Sequence, residues 1–253
     1  MEQILLSLIC GVSIGATAGY LGTLMLSKRM SLVAGPLGHL TLPGITLALI
    51  FGFDVSLGAF PFVILGIFLI WLFERKTKLP LEALTAIVFA TGVSISLLFL
   101  PIEKAEEALI GDISKVKFLD TLITFLLCLF VFLLTKSIYK KMVLISISED
   151  LAKSEKIDVK KYNFLYLLCI AIIVALGVKV VGGLLTAALV AIPAASARNL
   201  SKNLFWYSFY GILFGILSSL FGIFFYKIFN ISAGPTIILA NFFIFLVSLV
   251  FKK

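Results

Sequence analysis

Long apolar runs without charged residues decide what this chain can fold into. The first run, residues 4–26, holds no charged side chain, and as a helix rising about 1.5 Å per residue it crosses roughly 30 Å of hydrocarbon. Similar runs recur along the 253 residues, which are 61% hydrophobic and 13% charged, about half the charged fraction of soluble domains. The runs are too continuous for the alternating strands of a membrane β-barrel. The sequence predicts an all-α, multi-pass protein of the cell membrane.

Most basic residues lie in short segments between the apolar runs, and the formal net charge is +8. Counting the runs gives nine spans, with the N-terminus outside and the C-terminus inside. The positive-inside rule fits this orientation except at Lys179, at Lys227 and in the charge-balanced loop 101–117. Eight spans are the alternative, because the run around Gly182 has the composition of a broken or re-entrant element. This distribution explains the charge by contact with membrane lipid and leaves no role for nucleic acid. Residues 1–253 are predicted to form one transmembrane domain.

Residues 29–44 combine an apolar setting with residues that disfavour a continuous helix. They include Pro36, Pro43 and Gly44, and a further proline, Pro193, lies in a later span. Prolines remove helical hydrogen bonds, and lipid offers no replacement partner, so such segments must be shielded by neighbouring helices or line a cavity. The prolines and Gly44 are therefore predicted to mark helix breaks along a pathway across the membrane.

His39 is the only histidine of the chain, and it lies in this segment. A continuous helix places it about 15 Å from Arg29, near the middle of the bilayer. Neutral imidazole is a good ligand for zinc, manganese or iron. The alternative interpretation is a histidine that is hydrogen-bonded in the protein interior and has no ligand. A zinc site usually takes about four ligands. Candidate helpers at similar depth are Thr41, Thr46, Thr91, Ser94, Ser96, Thr186 and Asn241.

Residues 144–158 form the most polar stretch of the chain. Ser148 followed by Glu149 and Asp150 is typical of a helix start. The pattern predicts a short amphipathic cytoplasmic helix with Ile147, Leu151 and Ala152 near one face. The segment is either a solvated loop or a docking site for a soluble partner. The chain has no phosphate-binding glycine loop with its lysine, no paired-histidine zinc-protease motif and no nucleophile elbow, so it is not predicted to be an enzyme.

Several spaced motifs together resemble the zinc/manganese/iron class of ABC importer permeases. The resemblance extends over essentially the whole chain. The matching groups, in chain order, are Arg29-Met30-Ser31-Leu32, Gly38-His39, Leu42-Pro43-Gly44, Ile147-Ser148-Glu149-Asp150-Leu151-Ala152, Val180-Val181-Gly182-Gly183-Leu184-Leu185, Ile192-Pro193-Ala194-Ala195-Ser196-Ala197-Arg198 and Ser232-Ala233-Gly234-Pro235-Thr236-Ile237.

The resemblance implies a type II importer-like permease that transports a divalent metal ion and holds no permanent cofactor. It further implies pairing with a second copy, with cytoplasmic ABC ATPase subunits that hydrolyse ATP, and with an extracytoplasmic metal-binding protein. In that family an acid four residues before the histidine completes the metal site, but Gly35 occupies its place here. The segment beginning at Ser148 resembles the family's coupling segment.

Two other functions remain open from the residues. One is a self-sufficient secondary transporter or channel that uses His39 as a proton-linked ligand. The other is an ABC permease of the same architecture for a metal chelate or a vitamin, which the missing acid at Gly35 motivates.

Overall fold

A computed structural model describes residues 2–28, 34–77, 79–99, 111, 113, 116–183 and 185–252, and these residues form α-helices joined by short connections. The basic start of the signature motif, Arg29 to Leu32, and most of the loop at 100–115 lie outside the described residues. The helices are α1 (Glu2–Ser27), α2 (Ala34–His39), α3 (Leu42–Phe51), α4 (Val55–Lys76), α5 (Leu81–Phe99), α6 (Phe118–Ile147), α7 (Glu149–Ser154), α8 (Val159–Val180), α9 (Thr186–Leu200), α10 (Leu204–Phe229) and α11 (Ala233–Val250).

Within the described ranges, seven helices are long and apolar enough to cross a membrane: α1, α4, α5, α6, α8, α10 and α11. The pair α2–α3 and the 15-residue α9 add two shorter apolar segments. This confirms the predicted all-α, multi-pass membrane protein. The polar segment 144–158 begins inside a long helix, because α6 continues without a break from Phe118 to Ile147.

Helix α1 lies at the centre and packs against α6, α8, α9 and α10. Glycines allow the closest of these contacts, since a Cβ added to Gly15 would overlap the carbonyl oxygen of Gly215 on α10, and one added to Gly19 would overlap that of Gly211. In lipid, helices gain little from the hydrophobic effect and associate largely through such close van der Waals packing. The central position of α1 thus follows from a face without side chains.

The helices fall into two groups. Helices α2 to α5 pack on one another, while α1, α6 and α8 to α11 form the larger group. The main contacts between the groups run from α4 to α8 and from α2 to α8 and α9. A small apolar cluster of Leu42, Ile45, Ala59 and Val178 fills this boundary near one end of α8. We refer to the contact between α4 and α8 as the seam.

Polar residues bridge the seam at both ends of α8. At one end Lys179 contacts Asp54, which precedes α4, and at the other Asn163 donates to Glu74, near the end of α4. The predicted alternation of spans places Lys179 and Asp54 on one side of the membrane and Asn163 and Glu74 on the other. The structure brings the members of each pair into contact. Lys179, an exception to the charge rule in the sequence, is therefore neutralised by local carboxylates.

Candidate functional site

The helix containing His39 ends at that residue. The chain makes a tight turn in which the Thr41 N–H lies 3.3 Å from the Gly38 carbonyl oxygen and the Thr41 hydroxyl donates to the same oxygen at 2.6 Å. Pro43, in the first turn of α3, has no N–H to donate to the carbonyl of His39, four residues earlier. The helix that contains His39 therefore does not continue into α3, because Pro43 favours a new helix start at this point.

His39 is half-buried at the boundary between the two helix groups. Its ring lies 5.4 Å from the ring of Phe89 on α5, centroid to centroid. On the other side Gly38 lies against the backbone of Gly183, in the connection between α8 and α9, where an added Cβ would be 2.6 Å from the Gly183 carbonyl oxygen. Backbone contact through these two glycines sets how closely the histidine segment approaches α8 and α9.

The hydroxyl groups of the predicted helper residues form local hydrogen bonds. Each of the following donates to a carbonyl oxygen in its own helix or turn: Thr41, Thr46, Thr91, Ser94, Ser96 and Thr186. Asn241 is fully buried in α11, and its amide has no hydrogen-bond partner among the described residues. Within the part of the chain that the structure describes, no group of three or more His, Cys, Asp or Glu side chains is close enough to hold a metal ion.

The other predicted helix breaks behave differently from Pro43. Pro36 lies within α2 and Pro193 within α9, which continues to Leu200. Gly44 lies inside α3 and packs against the backbone of Gly58 on α4. None of these three residues ends its helix, because packed neighbouring helices can shield a proline and a glycine allows close approach without ending a helix.

The short helix predicted after Ser148 is present as α7. The side chain of Ser148 accepts a hydrogen bond from the N–H of Leu151 at 3.2 Å, as expected for a helix cap, and Glu149 and Asp150 fill the first turn. Ala152 is buried, whereas Leu151 is exposed beside the acids. The buried face packs against α6 and α8, so α7 is held on the membrane domain and presents Leu151 outward.

A polar network near α7 was missed by the sequence reasoning. The ammonium of Lys28 donates to the Asn163 side-chain oxygen, and the Asn163 amide lies 3.4 Å from a carboxylate oxygen of Glu74. Burial lowers the pKa of Lys28 to about 8, against the opposing attraction of Glu149 and Glu74. Lys28, Glu74 and Asn163 are far apart in sequence. The one sequence signal for a polar network was that each is a polar residue near the end of a span.

The fold and this geometry define a class of membrane protein. It has two packed groups of helices, and a short polar helix connects two of its long spans. The chain belongs to the ABC 3 transport family, whose model matches residues 1–252. The family implies separate ATPase and substrate-binding partners and a multi-pass membrane location.

Named relatives cover nearly the same length. The chain is 27% identical over 246 residues to the manganese import system permease protein ScaB of Streptococcus gordonii, covering 96% of this chain and 88% of that protein. It is 26% identical over 253 residues to the high-affinity zinc uptake system membrane protein ZnuB of Buchnera aphidicola, with 95% and 94% covered. A solved structure of PsaBC from Streptococcus pneumoniae in complex with Fab matches with a TM-score of 0.84 and 26% identity, over 98% of this chain and 91% of that one.

Proposed function

We propose that this chain is the membrane subunit of an ATP-driven importer of divalent metal ions, and that it works as a pair of copies. The observation that carries the proposal is the position of His39, a titratable metal ligand at a helix break on the boundary between two helix groups. An ionisable residue at such depth marks a transport pathway more often than a structural contact. The names of the manganese and zinc relatives support the choice of cargo.

The roles of the chain's own residues follow from this arrangement. His39 supplies an imidazole to the passing ion, and the His39 carbonyl, which Pro43 leaves without its helical donor, is an additional oxygen at the same place. Helix α7 receives the motion of the ATPase through its exposed first turn, Glu149 to Leu151. The substitution of the usual acid by Gly35 leaves the ion with fewer anionic ligands from this chain.

The test is metal uptake by the complete complex in liposomes, with the ATPase that co-purifies with this chain and with Mn²⁺ or Zn²⁺ as the only cargo. His39→Asn, which removes the imidazole and keeps a polar side chain, is expected to lower uptake about tenfold or more, in line with the loss of a metal ligand. Thr91→Val is the matched control, because Thr91 is exposed on α5 and bonds only to its own helix.

Each alternative has its own result. Flux from the single chain without ATP that His39→Asn abolishes identifies a secondary transporter or channel. ATP-driven uptake of a metal chelate, with neither bare ion carried, identifies a chelate permease, which the lack of a three-ligand group among the described residues favours as second candidate. Uptake of a bare ion that is indifferent to His39→Asn contradicts the proposed role of this residue.

A further inference from the structure

The end of α8 nearest the α9 connection carries a lysine with two carboxylate partners. The Lys179 ammonium lies 3.0 Å from a carboxylate oxygen of Asp54 and 2.8 Å from one of Asp120. The lysine side chain is 17% exposed, Asp120 28% and Asp54 43%. Ion pairs of this intermediate burial are stronger than surface pairs, because water screens them less.

The two pairs differ in which parts of the protein they join. Asp120 is in the first turn of α6, which belongs to the same helix group as α8, and its carboxylate also accepts the Lys117 N–H at 2.9 Å. Asp54 lies between α3 and α4, in the other group. The Lys179–Asp54 pair therefore crosses the seam, whereas the Lys179–Asp120 pair lies within one group.

We propose that the Lys179–Asp54 pair is a latch that holds the extracytoplasmic end of the seam closed, and that Asp120 keeps the latch reversible. When the seam opens, Lys179 retains Asp120 as a partner, and Asp54 passes from a partly exposed position into water. Opening therefore leaves no unpaired buried charge, which is the costly outcome when a buried pair is broken.

The latch lies close to the site of His39. Gly183, which packs against Gly38, follows Lys179 by four residues, and the apolar boundary cluster contains Val178, the residue next to the lysine. Release of Asp54 frees the connection between α3 and α4 from α8 on the side of the cluster that faces out in the predicted orientation. The helix with His39 stays packed on α8 and α9, where Gly38 meets Gly183.

The opposite end of the seam has a different bridge. Asn163 and Lys179 are sixteen residues apart in one helix, hence about 24 Å. At the inner end a neutral amide spans the seam at 3.4 Å to Glu74, a longer contact than either Lys179 pair. Rocking of one helix group against another is the general form of alternating access, and the seam has a separate polar contact to break at each end.

The experiment measures access to the seam from each side of the membrane. The three native cysteines, all buried, are replaced by alanine, and Val178→Cys places a thiol in the boundary cluster. The rate of reaction with a membrane-impermeant thiol reagent is then measured on the full-length chain in liposomes of known orientation. The inference rests on the proposed transport role for the need to open the seam, but labelling requires neither metal nor ATPase, so its outcome is separate from the uptake test.

Asp54→Asn is expected to raise labelling from the extracytoplasmic side about tenfold, which corresponds to about 1.4 kcal/mol. Asp120→Asn is expected to leave labelling at or below the unmodified rate, because Asp54 is then the one carboxylate partner of Lys179 among the residues that the structure describes. Lys227→Met is the matched control: it removes another predicted outer lysine, which is exposed on the last turn of α10. It is expected to have no effect.

A salt titration of the chain with its native charges tests the latch without relying on a variant that could misfold. With Asp54 present, labelling is expected to rise between low salt and roughly 1 M NaCl, where the Debye length falls to about 3 Å, and Asp54→Asn is expected to remove this salt dependence. Equal labelling with and without Asp54, equal acceleration by Asp54→Asn and Asp120→Asn, or labelling only from the cytoplasmic side each overturns the latch.

Discussion

Adding a single methyl group to Gly38 tests whether backbone contact positions the histidine. In Gly38→Ala the new Cβ lies 2.6 Å from the Gly183 carbonyl oxygen, and it must retreat by roughly 0.8 Å to reach an ordinary contact distance. Both partners are backbone, so no side-chain rotation relieves the overlap. The next residue, His39, has to move with the chain.

The size of the effect follows from that displacement. Metal–ligand distances tolerate only about ±0.2 Å, so a shift of several tenths of an ångström removes the imidazole from a working geometry. Overpacking of this kind costs about 1–3 kcal/mol. Carried entirely by the metal-bound state, that cost raises the apparent KM for metal by about fivefold to about 150-fold. Because the change is remote from α7, the basal ATPase rate of the complex is expected to stay unchanged.

Gly11→Ala is the matched control, because its Cβ also meets an atom at 2.6 Å, but that atom is the terminal methyl of Ile223. A side-chain end rotates away at little cost, so this variant is expected to transport like the unmodified protein. The assay is metal uptake by the reconstituted complex over a range of metal concentrations, with ATP hydrolysis measured in parallel. A Gly38→Ala complex with unchanged KM, or a Gly11→Ala complex equally impaired, refutes the positioning argument.

Three further predictions concern stability and coupling. Gly15→Ala places a Cβ against the Gly215 backbone and is expected to destabilise the protein by about 1–3 kcal/mol, measured by thermal unfolding in detergent. For Lys28, the folded state loses its proton near pH 8 and the unfolded state near 10.5, so stability is expected to rise by about 1–3 kcal/mol as the pH increases through this window, and Lys28→Met is expected to abolish the rise. Ser148→Ala removes the cap bond to Leu151, costs about 1 kcal/mol in α7, and is expected to weaken ATPase association several-fold in a pull-down titration.

Each of these three predictions has a control variant or a result that would contradict it. Gly11→Ala controls for the added methyl group in α1, and equal stability of the two α1 variants contradicts the close-packing argument. For Lys28, a stability profile that stays flat between about pH 8 and 9.5 contradicts the buried, depressed pKa. For Ser148, replacement by Asp retains an oxygen acceptor at the cap and is expected to keep ATPase association, so its failure would assign the loss to something other than the cap.

The outline of the fold was open to prediction because membrane spans depend on local composition. Runs such as residues 4–26 must be helical in lipid, whatever their neighbours, since the backbone has no other partner for its hydrogen bonds. The helix cap at Ser148 could also be predicted, because the serine side chain forms its hydrogen bond within the first turn of its own helix. The whole-chain motif order anticipated the family that the match over residues 1–252 shows.

Helix breaks were less predictable, because their outcome depends on neighbours. Pro43 ends one helix and begins another, whereas Pro193 stays inside a helix that runs to Leu200, although both are prolines in apolar runs. The cost of a missing hydrogen bond depends on what shields the freed carbonyl, and that shield comes from other spans. Composition alone does not distinguish the two cases.

By itself the sequence determined the membrane class, the approximate spans, the capped helix and the single histidine. Only the tertiary structure decided which distant residues meet: Gly38 with Gly183, and Lys179 with Asp54 and Asp120. The physical reason is the distance along the chain over which each interaction acts. Helix formation in lipid is set by each segment's own backbone and side chains, while ion pairs and glycine contacts depend on the relative placement of whole helices, which packing across the molecule determines.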